Sequence, residues 1–366
     1  MRRRLAPLLV ILLGGCSIAP GPRPRAERIG LAADGRGFSL VSSGKPWVPW
    51  GVNYDRDSSL HLLEEYWDFE WSRVAEDFHQ IQKLGCTVVR VHLQFARFMA
   101  SPERANPESL GRLGRLLDLA EGLGLYLDLT GLGCYRKEDT PLWYLNAPEK
   151  ERWAMQAGFW EAVAKTCAPS PAVFCYTLMN EPVSASQTSE DLLGGDLGGL
   201  HYVERLTRDP AGRTRPQITR QWMDALIPGI RRQDPSRLIT CGMFFLFEVP
   251  QGLTLGPDPK EIGAPLDFLC LHLYPKESEL DKELGLLKTL TAAGKPIVIQ
   301  EMFALNCSLQ AFEGFLGRTR GIASGWIGFY WGKTVAEYRR SRTIEDRLMA
   351  TWLEFFRDQG PHFRAP

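Results

Sequence analysis

The chain carries no surplus of either charge. Its 43 Lys and Arg residues balance 43 Asp and Glu over 366 residues, for a formal net charge of zero. Without a basic excess there is no electrostatic footprint for a polyanion, and no nucleic-acid partner is expected. The eight cysteines include no Cys-x-x-Cys pair, so neither a zinc-ribbon type site nor a disulfide-dense scaffold is expected. No His-Glu-x-x-His stretch is present, and no metal or other cofactor is expected. No Gly-x-Gly-x-x-Gly follows the first strand pattern, which argues against a doubly wound dinucleotide fold. Beyond residue 36 there is no Pro/Ser-rich linker, low-complexity tract or repeat that would divide the chain. The composition, 44% hydrophobic and 23% charged, is that of an ordinary globular protein.

The N-terminus reads Met-Arg-Arg-Arg, an apolar run from Leu5 to Leu13, then Gly14-Gly15-Cys16. That run is too short to span a bilayer as a helix. A basic start, a short apolar stretch and small residues have the form of an export signal. Leu13 to Cys16 also resembles the lipobox of bacterial lipoproteins. The resemblance implies that residues 1–15 are a signal peptide and that Cys16 is the lipidated first residue of the mature chain. It implies a lipid anchor in a bacterial membrane. Ser17 does not resemble an inner-membrane retention signal, which leans toward the outer membrane in a Gram-negative source. The alternative is a plain cleaved signal. Residues 16–36 are expected to form a tether, Pro- and Arg-rich from Ser17 to Arg25, and 37–366 the folded domain.

Eight short apolar segments alternate with amphipathic ones. Phe38 to Val52 reads as a β-hairpin, turning at Ser43-Gly44, that leads into a first buried strand ending at Asn53. Further strands are expected at 87–93, 125–130, 172–179, 238–244, 267–274, 296–301 and 325–331. Helices are expected at 71–84, 110–123, 149–167, 217–233, 279–293, 308–320 and 344–357, with the unit between the fifth and sixth strands the weakest. Alternating strands and helices imply a parallel sheet, and eight units imply closure into a (β/α)8 TIM barrel. The long connection from Val183 to Pro216 is expected either to wall the cleft, with His201 and Tyr202 near substrate, or to be a surface excursion.

Polar residues gather where these strands end, the place where such barrels keep their active sites. Ala172 to Met179 is a buried-strand composition that stops at Asn180-Glu181-Pro182. Ile297 to Ile299 is another, ending at Glu301, 120 residues beyond Glu181. Two carboxylates converging from different strand ends are the minimum equipment for hydrolysing a glycosidic bond. Asn53, Arg90, His92, His272, Tyr274 and Trp331 are the other strand-end candidates.

Together these residues resemble the family 5 glycoside hydrolases, the cellulase-type group of the retaining (β/α)8 clan. The resemblance implies Glu181 as acid/base and Glu301 as nucleophile. It implies Arg90, His272, Tyr274 and Trp331 as site residues and Asn180 as a ligand of the sugar 2-hydroxyl. Asn53 and His92 are added as candidate substrate contacts. Arg90 and Tyr274 are expected to donate to Glu301, and Trp331 to offer a flat face for a pyranose. One departure stands out: the family's third-strand His is replaced by Thr130, with His92 as a candidate substitute. The expected substrate is a β-linked glucan or mannan. The competing expectation is a catalytically weak, lipid-anchored barrel that binds surface glycans.

Overall fold

The computed structural model describes residues 26–57, 59–184, 187–242 and 259–364. Cys16, the signal and the first part of the tether lie outside the described residues, as does the end of the expected fifth strand beyond Gly242. The barrel strands are β1 (Trp50–Tyr54), β2 (Val88–Gln94), β3 (Tyr126–Gly133), β4 (Val173–Thr177), β5 (Leu238–Thr240), β6 (Leu269–Leu273), β7 (Ile297–Met302) and β8 (Gly325–Gly328). Except between β5 and β6, each pairs in parallel with its sequence neighbour, and β8 pairs with β1. Side-chain and loop bonds close the remaining gap between β5 and β6. The Asp267 N–H donates to the Ile239 carbonyl at 2.8 Å, and the Thr240 hydroxyl donates to the Phe268 carbonyl at 2.8 Å. The fold is the (β/α)8 barrel.

The outer helices are α1 (Trp71–Lys83), α2 (Pro107–Leu123), α3 (Glu149–Cys167), α4 (Arg215–Gln233), the short α5 (Pro259–Gly263), α6 (Leu280–Leu290), α7 (Leu309–Thr319) and α8 (Ile344–Arg364). Their ends follow local chemistry. The Asn106 side chain accepts from the Glu108 N–H at the start of α2, Pro107 occupies the first turn, and Gly124 ends the helix in the left-handed region. Thr214 and Gln217 form a reciprocal capping box on α4.

Alternation along each strand sorts its side chains. On β2, Val89, Val91 and Leu93 enter the large core between sheet and helices, whereas Val88, Arg90 and His92 occupy the other face. The barrel interior is layered. Its floor is apolar, with Val88, Phe174, Cys175, Phe268, Cys270 and Val298. Above it, Asp128 accepts from Thr177 at 2.7 Å and from Gln300 at 2.6 Å. The catalytic candidates form the upper layer. Cys175 and Cys270 are thus small hydrophobes in the floor, and the seven described cysteines form no disulfide.

The N-terminal hairpin plugs this floor. Phe38 packs edge-on against Phe174 and Phe268, with ring centroids 5.0 and 5.1 Å away. Phe38–Leu40 pairs with Pro46–Trp47, and a further strand, Ile29–Leu31, pairs with Phe38–Leu40 on its other edge. That strand corrects the expected tether of residues 16–36. Ile29 is 2% exposed in the floor cluster, so the folded region begins before residue 37. Truncating Phe38 removes the ring that seals the barrel. Phe38→Ala should cost about 3–5 kcal/mol, read as a lower urea midpoint with an unchanged slope.

Candidate active site

The nucleophile candidate owes its direction to an irregularity. In strict alternation Glu301 would share the outward face of Ile297 and Ile299. Between β6 and β7 the register shifts: Leu271 pairs with Ile299, but His272 pairs with Glu301, leaving Gln300 as the extra residue. This bulge turns both Gln300 and Glu301 inward. Gln300 joins the middle layer through Asp128 and Thr177, and Glu301 rises into the upper one.

There Glu301 meets Arg90, which is completely enclosed. The guanidinium donates to Glu301 Oε1 at 2.5 Å, to Asn53 Oδ1 at 2.8 Å, to Asn180 Oδ1 at 2.8 Å and to Thr130 Oγ1 at 2.9 Å. The Tyr274 hydroxyl donates to the other Glu301 oxygen at 2.6 Å. Burial alone would raise the Glu301 pKa. The fields of His272 and Arg90, with the hydrogen bonds from Tyr274 and Arg90, outweigh burial and hold it below the ordinary range.

Glu181 has the opposite environment. Burial raises its pKa and the Glu301 charge adds to the rise, partly offset by His272, whose Nδ1 lies 2.8 Å from Glu181 Oε1. One oxygen of each carboxyl and a ring nitrogen of His272 lie within 4.8 Å of one another. The three could serve as metal ligands by type. Both Glu301 oxygens, however, already accept from Arg90 and Tyr274, and the guanidinium supplies the local positive charge.

A cavity of about 410 Å³ opens above this pair. Asn180, Glu181, Tyr274 and Glu301 line it, beside Tyr202, Phe303, Phe329 and Tyr330. Backbone approach fixes Asn180: a Cβ on Gly242 would stand 1.8 Å from the Asn180 carbonyl oxygen, so only glycine lets the end of β5 pass there.

The other sequence candidates lie elsewhere. Asn53 and His92 were expected to touch substrate, but both are buried beneath the cavity. Asn53 staples β1 to β7 and β8, donating to the Gln300 and Gly328 carbonyls at 3.0 and 3.3 Å. His92 bonds the Tyr135 hydroxyl through Nδ1, and its Nε2 lies 3.3 Å from Asn53 Oδ1. Burial, then the Arg90 charge, push the His92 pKa well down, so the ring is a neutral support for Asn53. Arg90 and His272 act from the same enclosed layer, through Glu301, Asn180 and Glu181 rather than by lining the cavity. Trp331 requires the largest correction. It is 1% exposed, packed in the main core, with its backbone N–H bonded to the Asn53 carbonyl at 2.7 Å. It offers no open face; the aromatic rings at the cavity are Tyr202, Tyr274, Phe303, Phe329 and Tyr330.

The connection after Glu181 is not an open loop. Glu181–Val183 pairs in parallel with Leu200–Arg205, which pairs antiparallel with Leu193–Leu197. Gly198 and Gly199, both at positive φ, make the tight turn. Tyr202 lines the cavity, whereas His201 bonds the Tyr135 carbonyl through its backbone N–H at 2.7 Å. Gly-Gly between Leu197 and Leu200 could have marked this turn, but within so long a connection it read as loop. Tyr135 and Arg56 carried no such signal.

Removing Arg90 tests the upper layer directly. Arg90→Met leaves Glu301 buried without its counter-ion and should cost about 3–5 kcal/mol near neutral pH. The ion pair contributes stability above the ordinary carboxylate range and loses it as pH falls through the depressed Glu301 pKa. The deficit in urea melts should therefore shrink in acid.

Residues 53–332 match the family model described as cellulase (glycosyl hydrolase family 5). No curated protein sequence matches the chain. Among solved structures, the chain is similar to the exo-β-1,4-mannosidase Op5Man5 from Opitutaceae bacterium strain TAV5, at 17% identity and TM-score 0.63. That match covers 91% of this chain and 62% of the other, so the chain spans less than two thirds of that protein. It is similar to a GH5_18 protein from Streptomyces cattleya in complex with Manβ1-4GlcNAc, at 17% identity and TM-score 0.62, over 86% of this chain and 80% of that one. It also resembles the catalytic domain of the Thermobifida fusca endoglucanase Cel5A, at 15% identity and TM-score 0.54, over 84% and 86%. At these identities the neighbours establish the barrel, and the family rests on the model, which spans β1 to β8: the chain belongs to glycosyl hydrolase family 5.

Proposed function

We propose that the protein is a retaining β-glycoside hydrolase that cleaves β-linked glucan- or mannan-type chains by double displacement. One observation carries this reading: two carboxyls share a cavity, and their surroundings push one pKa below the ordinary carboxylate range and the other above it. Glu301, ionised by Arg90 and Tyr274, attacks the anomeric carbon. Glu181 delivers its proton to the glycosidic oxygen as the leaving sugar departs. With Glu301 esterified, the charge that raised the Glu181 pKa is gone, and Glu181 becomes the base that activates water. The short separation fits retention, for which carboxyl groups stand about 5–5.5 Å apart. Asn180, oriented by Arg90 and by donation to the Tyr202 carbonyl at 3.1 Å, stands beside Glu181 to bond the 2-hydroxyl.

A glycan-binding role without turnover has no use for this opposed pair. Thr130 does not weaken the hydrolytic reading, because its hydroxyl accepts from Arg90 and thereby helps hold the guanidinium. We further propose export and lipidation at Cys16, on the sequence features around it.

Reducing-sugar release by the full-length protein in detergent, from a panel of glucans and mannans, tests the activity. Glu301→Ala should abolish it, a loss of at least about 10⁴-fold. Glu181→Ala should lose most on poor leaving groups, keep partial activity on activated aryl glycosides and be rescued by azide. Equal loss on every substrate without rescue would remove the acid/base assignment. The pH profile should be a bell: the acid limb, set by Glu301, falls below the ordinary Glu range, and the alkaline limb, set by Glu181, above it. Cys16→Ala should release the protein from the membrane fraction and abolish labelling by a fatty-acid probe.

A further inference from the structure

The ribbon that follows Glu181 runs along one side of the barrel mouth and docks on the segment that follows β1. Tyr202, on its returning strand, accepts a hydrogen bond from Arg56 Nε at 2.8 Å, and Arg56 follows the end of β1. Strands β1 and β4 lie three steps apart in the sheet, so this contact spans that side of the opening. The Arg56 guanidinium also lies 4.3 Å from the centroid of Tyr330, beyond the end of β8. The span between is filled: the Tyr202 ring packs on Tyr135, beyond β3, with centroids 4.7 Å apart. The wall is therefore continuous from β4 past β3 to β1 and β8.

The wall is also fixed. Glu204, two residues beyond Tyr202, is buried and accepts from the Tyr144 hydroxyl at 2.6 Å and from Gln156 of α3 at 3.3 Å. A strand held on one face both by the buried Glu204 carboxylate and, through Tyr202, by Arg56 is not a hinged lid.

Which sugar this wall meets follows from the reaction proposed above, on which the inference rests. The leaving sugar departs from the oxygen that Glu181 protonates. Glu181's neighbour His272 lies on β6, away from the wall. The attacked ring sits over Glu301 and Asn180, above Arg90. The docked end of the wall, Arg56 after β1 with Tyr330 after β8, lies next to β7, and Tyr330 shares the cavity with Glu301, which puts this end on the side of the attacked ring. We propose that the ribbon makes the site a pocket blind on the glycone side, so that the enzyme removes single sugars from non-reducing chain ends. Tyr202 and Arg56 are its specificity-determining pair.

The test is a product profile of the full-length protein in detergent. The substrates are β-glucan and β-mannan oligosaccharides of defined length, reduced at one end, and the parent polysaccharides. Mass spectrometry of early products, with viscosity, gives the readout. The wild type should shorten each reduced oligosaccharide by one sugar at a time and leave polysaccharide viscosity nearly unchanged per bond broken. Arg56→Ala and Tyr202→Ala should open the wall, raising the ratio of oligosaccharide to monosaccharide product at least tenfold. Tyr202→Phe keeps the ring and should shift the ratio less.

Internal fragments and rapid loss of viscosity from the wild type, with Glu301→Ala inactive, would overturn the blind pocket while leaving the hydrolase intact. Variants that stay folded by circular dichroism and keep the monosaccharide-only pattern would remove Arg56 and Tyr202 as its cause. If the variants fail to fold, the wild-type profile alone decides whether the pocket is blind. No cleavage of any substrate by the wild type would overturn the hydrolase reading and this inference with it.

Discussion

A single buried guanidinium organises the upper barrel. Arg90 donates to groups beyond or on four strands: Asn53 of β1, Thr130 of β3, Asn180 after β4 and Glu301 of β7. Burying a cation is costly unless it is paired and its donors are used. Here the cost is offset by an ionised carboxylate and three oriented oxygens, and the planar fork of arginine suits this division of labour. The same contacts orient Asn180 and fix the charge of Glu301. Stability and chemistry therefore draw on one set of hydrogen bonds.

That dependence explains why two glutamates in one cavity differ. Burial raises both pKa values, and what separates them is the company each keeps. Glu301 receives Arg90 and Tyr274; Glu181 receives His272 and feels Glu301. The supporting ring of His92, Tyr135 and Asn53 has no contact with the cavity, yet it sets the platform on which Arg90 rests. Residue roles in this barrel thus follow depth. Groups at the cavity are open to a ligand, and groups one layer down hold those groups in place.

Depth is what the sequence conveys least. The eight strands and seven of the helices were legible because the apolar period changes from 2 to 3.6 and back, and strand-end polarity pointed to Glu181 and Glu301. Whether a strand-end side chain lines the cavity or lies beneath it depends on barrel packing, which is non-local. Asn53, His92 and Trp331 share the strand-end signature of Glu181 but not its exposure. The strand at Ile29–Leu31 was hidden by the Pro- and Arg-rich segment before it. The ribbon was hidden by its glycines, which read as looseness when two of them form a tight turn. Arg56 carried no signal, because its partners Tyr202 and Tyr330 are remote in sequence.

The extra residue at Gln300 has a consequence beyond aiming one side chain. A β-strand has two faces and no intermediate setting, so the phase of β7 at Glu301 is a binary variable held by one unpaired position. Regular pairing of β7 at its present length, without the bulge, would exchange the faces. The carboxylate would turn among apolar helix-facing side chains, and its neighbour would face the cavity. Elsewhere on a buried strand, exchange of one apolar residue for another of similar volume costs little. At this one point an unpaired position, rather than the identity of any residue, decides whether the carboxylate reaches the cavity.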